Sequence, residues 1–194
     1  MSTVFRTIGG FFLDIIETVV IALSIFLIVY LFLMQPHQVN GDSMIPNFHH
    51  GEYLLTDKIS YKFNQPKRGD VVVFRSPPQA QCPEGAGCDF IKRVIGLPGD
   101  TVTITNNHVV VNNQPLDETY IGAAIETRPG AYMANGPVTI PTGQYFVLGD
   151  NRPHSSDSRT WGPVEMGNIV GHVFFRYWPL NRIGQLEKTT YAGF

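Results

Sequence analysis

The sequence predicts a mostly β protein: a single antiparallel, coiled-sheet domain behind one N-terminal transmembrane helix. Three observations carry this expectation. The stretch from Val19 to Met34 is almost wholly apolar, broken only by Ser24 and Tyr30. After it the apolar runs become short and are bounded by turn residues. Finally, 14 prolines and 19 glycines in 194 residues favour short strands over long helices. The expected organisation is a cytoplasmic segment 1–14, a transmembrane anchor 15–34 and an extracytoplasmic domain 35–194.

The anchor comes first. Extended back to Ile15, the apolar run reaches the roughly 20 residues needed to cross a bilayer. Asp14 and Glu17 stand at its N-terminal edge, where the interface can hydrate them. Arg6 and the amino terminus precede it, and no Lys or Arg follows until Lys58. The positive-inside rule then leaves the N-terminus in the cytoplasm and the domain outside a cell membrane crossed once. Gln35-Pro36-His37-Gln38-Val39 offers no small-x-small cleavage site, so the segment reads as retained.

Strands follow at 53–56, 70–75 and 89–95, each an apolar run between turns. Residues 101–105 alternate at period two, Asn106-Asn107 make a turn, and 108–111 return, which is a hairpin signal. Runs at 138–140, 144–148 and 169–177 complete the set. Pro66-Lys67-Arg68-Gly69 and Ser76-Pro77-Pro78 read as loops within one domain. No long amphipathic helix pattern, repeat or low-complexity tract is visible.

Composition narrows the function. A formal net charge of -2 provides no basic footprint for nucleic acid. The lipid bilayer is the partner the anchor implies. The two cysteines, Cys82 and Cys88, flank a Pro/Gly loop that can bring their sulfurs together, and a disulfide is the expectation outside the cytoplasm. No second Cys/His pair has metal spacing, which argues against zinc. No cofactor is implied.

The chemistry gathers in three separated motifs. Gly41-Asp42-Ser43-Met44-Ile45-Pro46 places a serine on a turn soon after the membrane. A serine hydroxyl is a poor nucleophile until a base takes its proton. Lys92, in Phe90-Ile91-Lys92-Arg93, is a candidate base. Free lysine titrates near 10.4, so a neutral amine at pH 7 costs about 4.6 kcal/mol, which burial or nearby positive charge must offset. Strand alternation puts Lys92 with Phe90 and Val94, and Arg93 with Ile91 and Ile95, so the pattern alone leaves open which is buried. Taken singly, Ser43 reads as a solvated loop residue and Lys92 as an exposed strand lysine. The third motif runs from Gly149 to Arg159, where Asp157 and Arg159 can pair to fix a loop; alone it reads as a polar turn. His49, His50 and His154 lie near the motifs in sequence and leave a Ser-His arrangement open.

Together the motifs carry a resemblance. Gly-Asp-Ser-Met-Ile-Pro (41–46), Ile-Lys-Arg-Val-Ile-Gly-Leu-Pro-Gly-Asp (91–100) and Gly-Asp-Asn-Arg-Pro-His-Ser-Ser-Asp-Ser-Arg (149–159) resemble the ordered boxes of bacterial type I signal peptidases. The ending Tyr177-Trp178-Pro179-Leu180-Asn181-Arg182-Ile183-Gly184 is also similar to that family. The resemblance implies Ser43 as nucleophile and Lys92 as general base. It implies Ser155 as the serine orienting the amine, and Asp157 and Arg159 as a supporting ion pair. Met44 and Phe90 are the candidate substrate-binding residues. The implied substrates are secreted preproteins, cut after small residues at -1 and -3.

Three departures from the family pattern stand out. Asn47 replaces a frequent Thr, and Pro153-His154 replaces acidic or Asn residues. Gly41 sits where some members carry an oxyanion-binding hydroxyl, leaving the Ser43 backbone N–H as the expected first donor. Three rival readings are a self-cleaving Ser/Lys repressor, a Ser/Lys processing peptidase with a narrow substrate, and a non-enzymatic membrane-anchored β module. The anchor and the lack of a DNA-binding segment argue against the repressor. The ordered boxes argue against the binding module.

Overall fold

A computed structural model describes residues 2–80, 89–122, 125–191 and 193, with the backbone alone described for residues 2–9, 31 and 32. Cys82 and Cys88, and the disulfide expected of them, lie outside the described residues.

Helix α1 (Ser2–Ile28) passes through a π-helical turn (Val29–Leu33) directly into strand β1 (Met34–Gln38). Within α1, Gly10–Ile28 has a mean hydropathy of 2.4 and none of it is buried against the protein, so it is long and apolar enough to cross a membrane. The α-helix ends at Ile28, and the π-helical turn carries helical backbone on to Leu33, next to the last apolar residue, Met34. The Leu33 carbonyl accepts from Lys58 N–H at 3.0 Å, and Met34 pairs with Asp57. Sheet hydrogen bonding takes over the backbone at Met34.

The remaining elements follow in order. They are β2 (Tyr53–Asp57), α2 (Ser60–Phe63), β3 (Val71–Arg75), β4 (Asp89–Gly96), β5 (Thr101–Thr105), β6 (His108–Val111) and β7 (Gln114–Pro115). After them come β8 (Val138–Thr139), β9 (Gln144–Leu148), α3 (Ser158–Trp161), β10 (Val164–Glu165), β11 (Ile169–Trp178) and β12 (Gly184–Gln185). The expected strands are present with ends shifted by a residue or so. The added ones are β1, β7, β10 and β12. Strand β1 carries Pro36, which reads as a breaker, yet among the described residues it pairs only with β2, and an edge strand tolerates a residue without an N–H.

All pairings are antiparallel. The larger sheet has the order β1-β2-β11-β3-β4-β9-β10, with β12 beside β11. The smaller has the order β7-β6-β5-β8. The β5–β6 hairpin turns at Asn106 (φ 51) and Asn107 (φ 66), both left-handed, as a tight primed turn demands. β11 shifts register against β2 and β3, which bends the larger sheet.

Three apolar clusters hold these layers. One joins the sheets through Ile95, Val102, Val111, Ile140, Phe146 and Leu148. The second packs Phe74, Val94, Tyr145 and Val147 against Trp161 of α3. A third, with Val39, Met44, Phe48, Leu54, Val73 and Val173, lies under the Ser43 loop. Each such buried side chain contributes about 1.5–3 kcal/mol. The two loops of interest therefore stand on rigid strands.

Candidate active site

Ser43 lies in the loop between β1 and β2, and Lys92 on β4; 49 residues apart in sequence, they meet in space. The Lys92 Nζ donates to Ser43 Oγ at 2.8 Å and to the Ile91 carbonyl at 2.9 Å. The amine also stands 5.5 Å from the centre of the Phe90 ring. The ambiguity over Lys92 and Arg93 ends with both residues buried, each 4% exposed. They point to opposite faces of β4, and both faces are covered.

Burial pulls the Lys92 amine down to about 8, against the Asp157 and Asp150 carboxylates, which act to raise it. An amine at that value is neutral in a useful fraction of molecules near neutral pH. In that state it can accept the Ser43 proton across the observed contact.

Arg93 fastens the opposite side. Its guanidinium makes a two-pronged pair with Asp150, Nε to Oδ1 at 2.9 Å and Nη2 to Oδ2 at 2.7 Å. It also donates to the Gly69 carbonyl at 3.0 Å and to Thr189 Oγ1 at 2.8 Å. Asn47 Nδ2 donates to Asp150 Oδ2 at 2.8 Å and to the Tyr120 carbonyl at 2.9 Å. Asn47 thus ties the serine loop to the Asp150 carboxylate. Asn151 adds two further ties, from its N–H to the Ser43 carbonyl at 3.0 Å and from Nδ2 to the Asp42 carbonyl at 2.9 Å.

Asp157 and Arg159 form the expected ion pair, Nε to Oδ1 at 2.7 Å and Nη2 to Oδ2 at 2.8 Å. Asp157 also caps α3 by accepting from Arg159 N–H, and it accepts from Gly149 N–H at 3.1 Å. Arg159 donates to the Arg152 carbonyl at 2.6 Å. The pair therefore binds both ends of the loop between β9 and α3.

Ser155 is brought beside this group but differs from expectation. Its Oγ is buried without a hydrogen-bond partner among the described residues, and the amine donates to Ser43 and Ile91. It packs against Gly149, where any Cβ would overlap Ser155 Oγ and lie 2.5 Å from the Ser43 carbonyl oxygen. Met44 also differs. It is 1% exposed within the cluster under the loop and does not line the cavity, so it supports the site from below. Phe90 does line the cavity.

His49, His50 and His154 make no hydrogen bond to Ser43 or Lys92 among the described residues. His50 Nδ1 accepts from Gly41 N–H at 3.1 Å, His49 lies 3.6 Å from Glu52, and His154 is exposed. Gly41 has φ +95, a conformation that residues with a Cβ rarely adopt, which accounts for glycine at the hydroxyl position.

The cavity at Ser43 and Lys92 holds about 470 Å³. One wall is β1 and the residues after it, from His37 to Asn40; the other is Asp89 to Lys92 of β4. Both walls are sheet edges. β1 pairs only with β2, and β4 pairs with β9 only from Arg93 onward, so the second edge of 89–92 carries no strand among the described residues. An extended peptide fits between two such edges.

The sequence reading passed over Arg93, Asp150, Asn47 and Asn151 as site residues. Their only signal was membership of the three motifs, and nothing local says that Arg93 faces Asp150 across 57 residues.

Known proteins resemble this chain over most of its length. A family model described as signal peptidase, peptidase S26, matches residues 12–178. The chain is 41% identical over 179 residues to the probable signal peptidase I-1 of a Synechocystis species, covering 91% of this chain and 88% of that one. It is 40% identical over 173 residues to the signal peptidase I of Leptolyngbya laminosa, covering 88% and 82%. It is 35% identical over 181 residues to the signal peptidase IB of Staphylococcus aureus, covering 87% and 91%.

Proposed function

This chain belongs to the signal peptidase family, peptidase S26, and is a peptidase that removes signal peptides; from that premise we propose that Ser43 is its nucleophile and Lys92 its general base. The observation that carries the proposal is the 2.8 Å contact between Lys92 Nζ and Ser43 Oγ at the head of the cavity. With the amine neutral, Nζ takes the hydroxyl proton as Oγ attacks the scissile carbonyl. The oxyanion that forms is met by the Ser43 backbone N–H in this reading. The protonated amine then gives its proton to the leaving amine, and the acyl-enzyme remains on Ser43. A water deprotonated by the same lysine hydrolyses it. The Asp157–Arg159 and Arg93–Asp150 pairs act as positioning groups. Each holds a loop that carries or abuts a reacting side chain.

The substrate is an exported preprotein, bound extended between β1 and β4, with its cleavage-site side chains in the cavity. The apolar helix Gly10–Ile28 fits a membrane anchor. The proposed topology leaves the N-terminus in the cytoplasm and residues 35–194 outside, on the strength of Arg6 before the span and no Lys or Arg after it until Lys58.

The decisive experiment is processing of a purified preprotein by the full chain in detergent micelles. Ser43→Ala is expected to abolish cleavage with near-native circular dichroism. Undiminished cleavage by that variant would overturn the assignment.

A further inference from the structure

The active-site cavity has a polar end that the dyad does not use. His37 on β1 and Asp89 on β4 line it together with Ser43 and Lys92. His37 Nδ1 shares a hydrogen bond with Thr56 Oγ1 at 2.9 Å, which fixes the ring. The other ring nitrogen, Nε2, is buried without a hydrogen-bond partner among the described residues. It lies 3.7 Å from Asp89 Oδ2, too far for a hydrogen bond. A buried polar atom of this kind is stabilised by any ligand group that bonds to it.

The spacing identifies which substrate residue comes there. The carbonyl under attack must sit at Ser43 Oγ, so the residue before the scissile bond occupies the Lys92 end of the cavity. A strand rises about 3.3 Å per residue and returns to the same face every second residue. The -3 side chain therefore lies about 7 Å further along the groove. His37 and Asp89 line the same cavity as Ser43 and Lys92, beyond the Lys92 end, so a -3 side chain about 7 Å along the groove comes within reach of them.

Resting on the proposed dyad and groove, we infer that His37 and Asp89 are specificity-determining residues that favour a hydroxyl-bearing side chain at -3 over an aliphatic one of the same shape. Threonine and valine are the matched pair. A threonine hydroxyl can donate to Asp89 and meet His37 Nε2, whereas a valine methyl leaves the buried His37 Nε2 unsatisfied and displaces water from the Asp89 carboxylate. Discrimination of this kind follows when a site's polar groups lose their partner.

The test uses two synthetic preprotein-derived peptides that differ only in Thr or Val at -3, cleaved by the full chain in detergent micelles. The wild type is expected to show kcat/KM for the Thr peptide about two- to tenfold above the Val peptide, the range of one neutral hydrogen bond. His37→Leu should bring the ratio to one or below, and His37→Gln, which keeps a hydrogen-bonding group, should retain the Thr preference. Asp89→Leu, at a partly exposed position, provides a second arm should His37→Leu fail to fold, and it too should lower the ratio. A wild-type ratio of one or less, or a ratio left unchanged by both leucine variants, overturns the inference. Failure of the underlying reading looks different: Ser43→Ala would still cleave both peptides.

Discussion

Replacing Lys92 by methionine is expected to abolish processing and, at the same time, to stabilise the fold at pH 7. The side chain is 4% exposed, and burial lowers its amine from the ordinary 10.5 to about 8. Between those two values the unfolded chain holds a proton that the folded chain has released. Stability therefore rises with pH across that window. Below about pH 8 the wild type carries the whole cost of a buried ammonium, about 3 kcal/mol at 1.36 kcal/mol per pH unit. Methionine, unbranched and apolar, removes that cost. It also removes the contacts to Ser43 Oγ and the Ile91 carbonyl, worth about 1 kcal/mol net. The balance is a gain of about 2 kcal/mol at pH 7 that fades to nothing or reverses above pH 10.5. Chemical denaturation of the full chain in detergent micelles at both pH values, followed by fluorescence of the buried Trp161, reads the difference. A variant less stable than wild type at pH 7, or displaced equally at both pH values, refutes the reasoning, because the lysine would then not be held against its charge.

Gly149→Ala is expected to reduce kcat by about a hundredfold while the fold survives, because its Cβ collides with Ser155 and the Ser43 carbonyl and moves the nucleophile loop; single-turnover kinetics checks this. Asp150→Ala should destabilise the protein by about 3–5 kcal/mol in denaturant unfolding, since it leaves the buried Arg93 guanidinium without its carboxylate. A reporter fused after Phe194 is expected to be exported, and cytoplasmic reporter activity would reverse the proposed orientation.

The sequence by itself determined the class of the protein. A long apolar run needs only counting, because a bilayer asks for length and hydropathy. The strands were legible where period-two alternation or turn residues mark them, as in 101–105, Asn106-Asn107 and 108–111. The proposed dyad was suggested by three motifs in order that resemble a known family; Ser43 or Lys92 alone reads as an ordinary polar residue. Tertiary structure decided the rest, because those features depend on partners distant in the chain. Pro36, His37 and Gln38 form a strand only because β2 offers an edge, which local propensity does not reveal. Alternation could assign one buried face to β4, whereas packing buries both, giving Lys92 a low-dielectric setting and Arg93 a carboxylate. Where helical backbone gives way to strand was decided by hydrogen bonds to Lys58 and Asp57, which hydropathy does not register. Ser155 packs beside Gly149 without the expected hydrogen bond, and Met44 turned inward, because side-chain direction follows from the packing of a whole loop. The amine near 8 is the clearest case: a lysine titrates where its surroundings place it, and those surroundings come from strands and loops far apart in sequence.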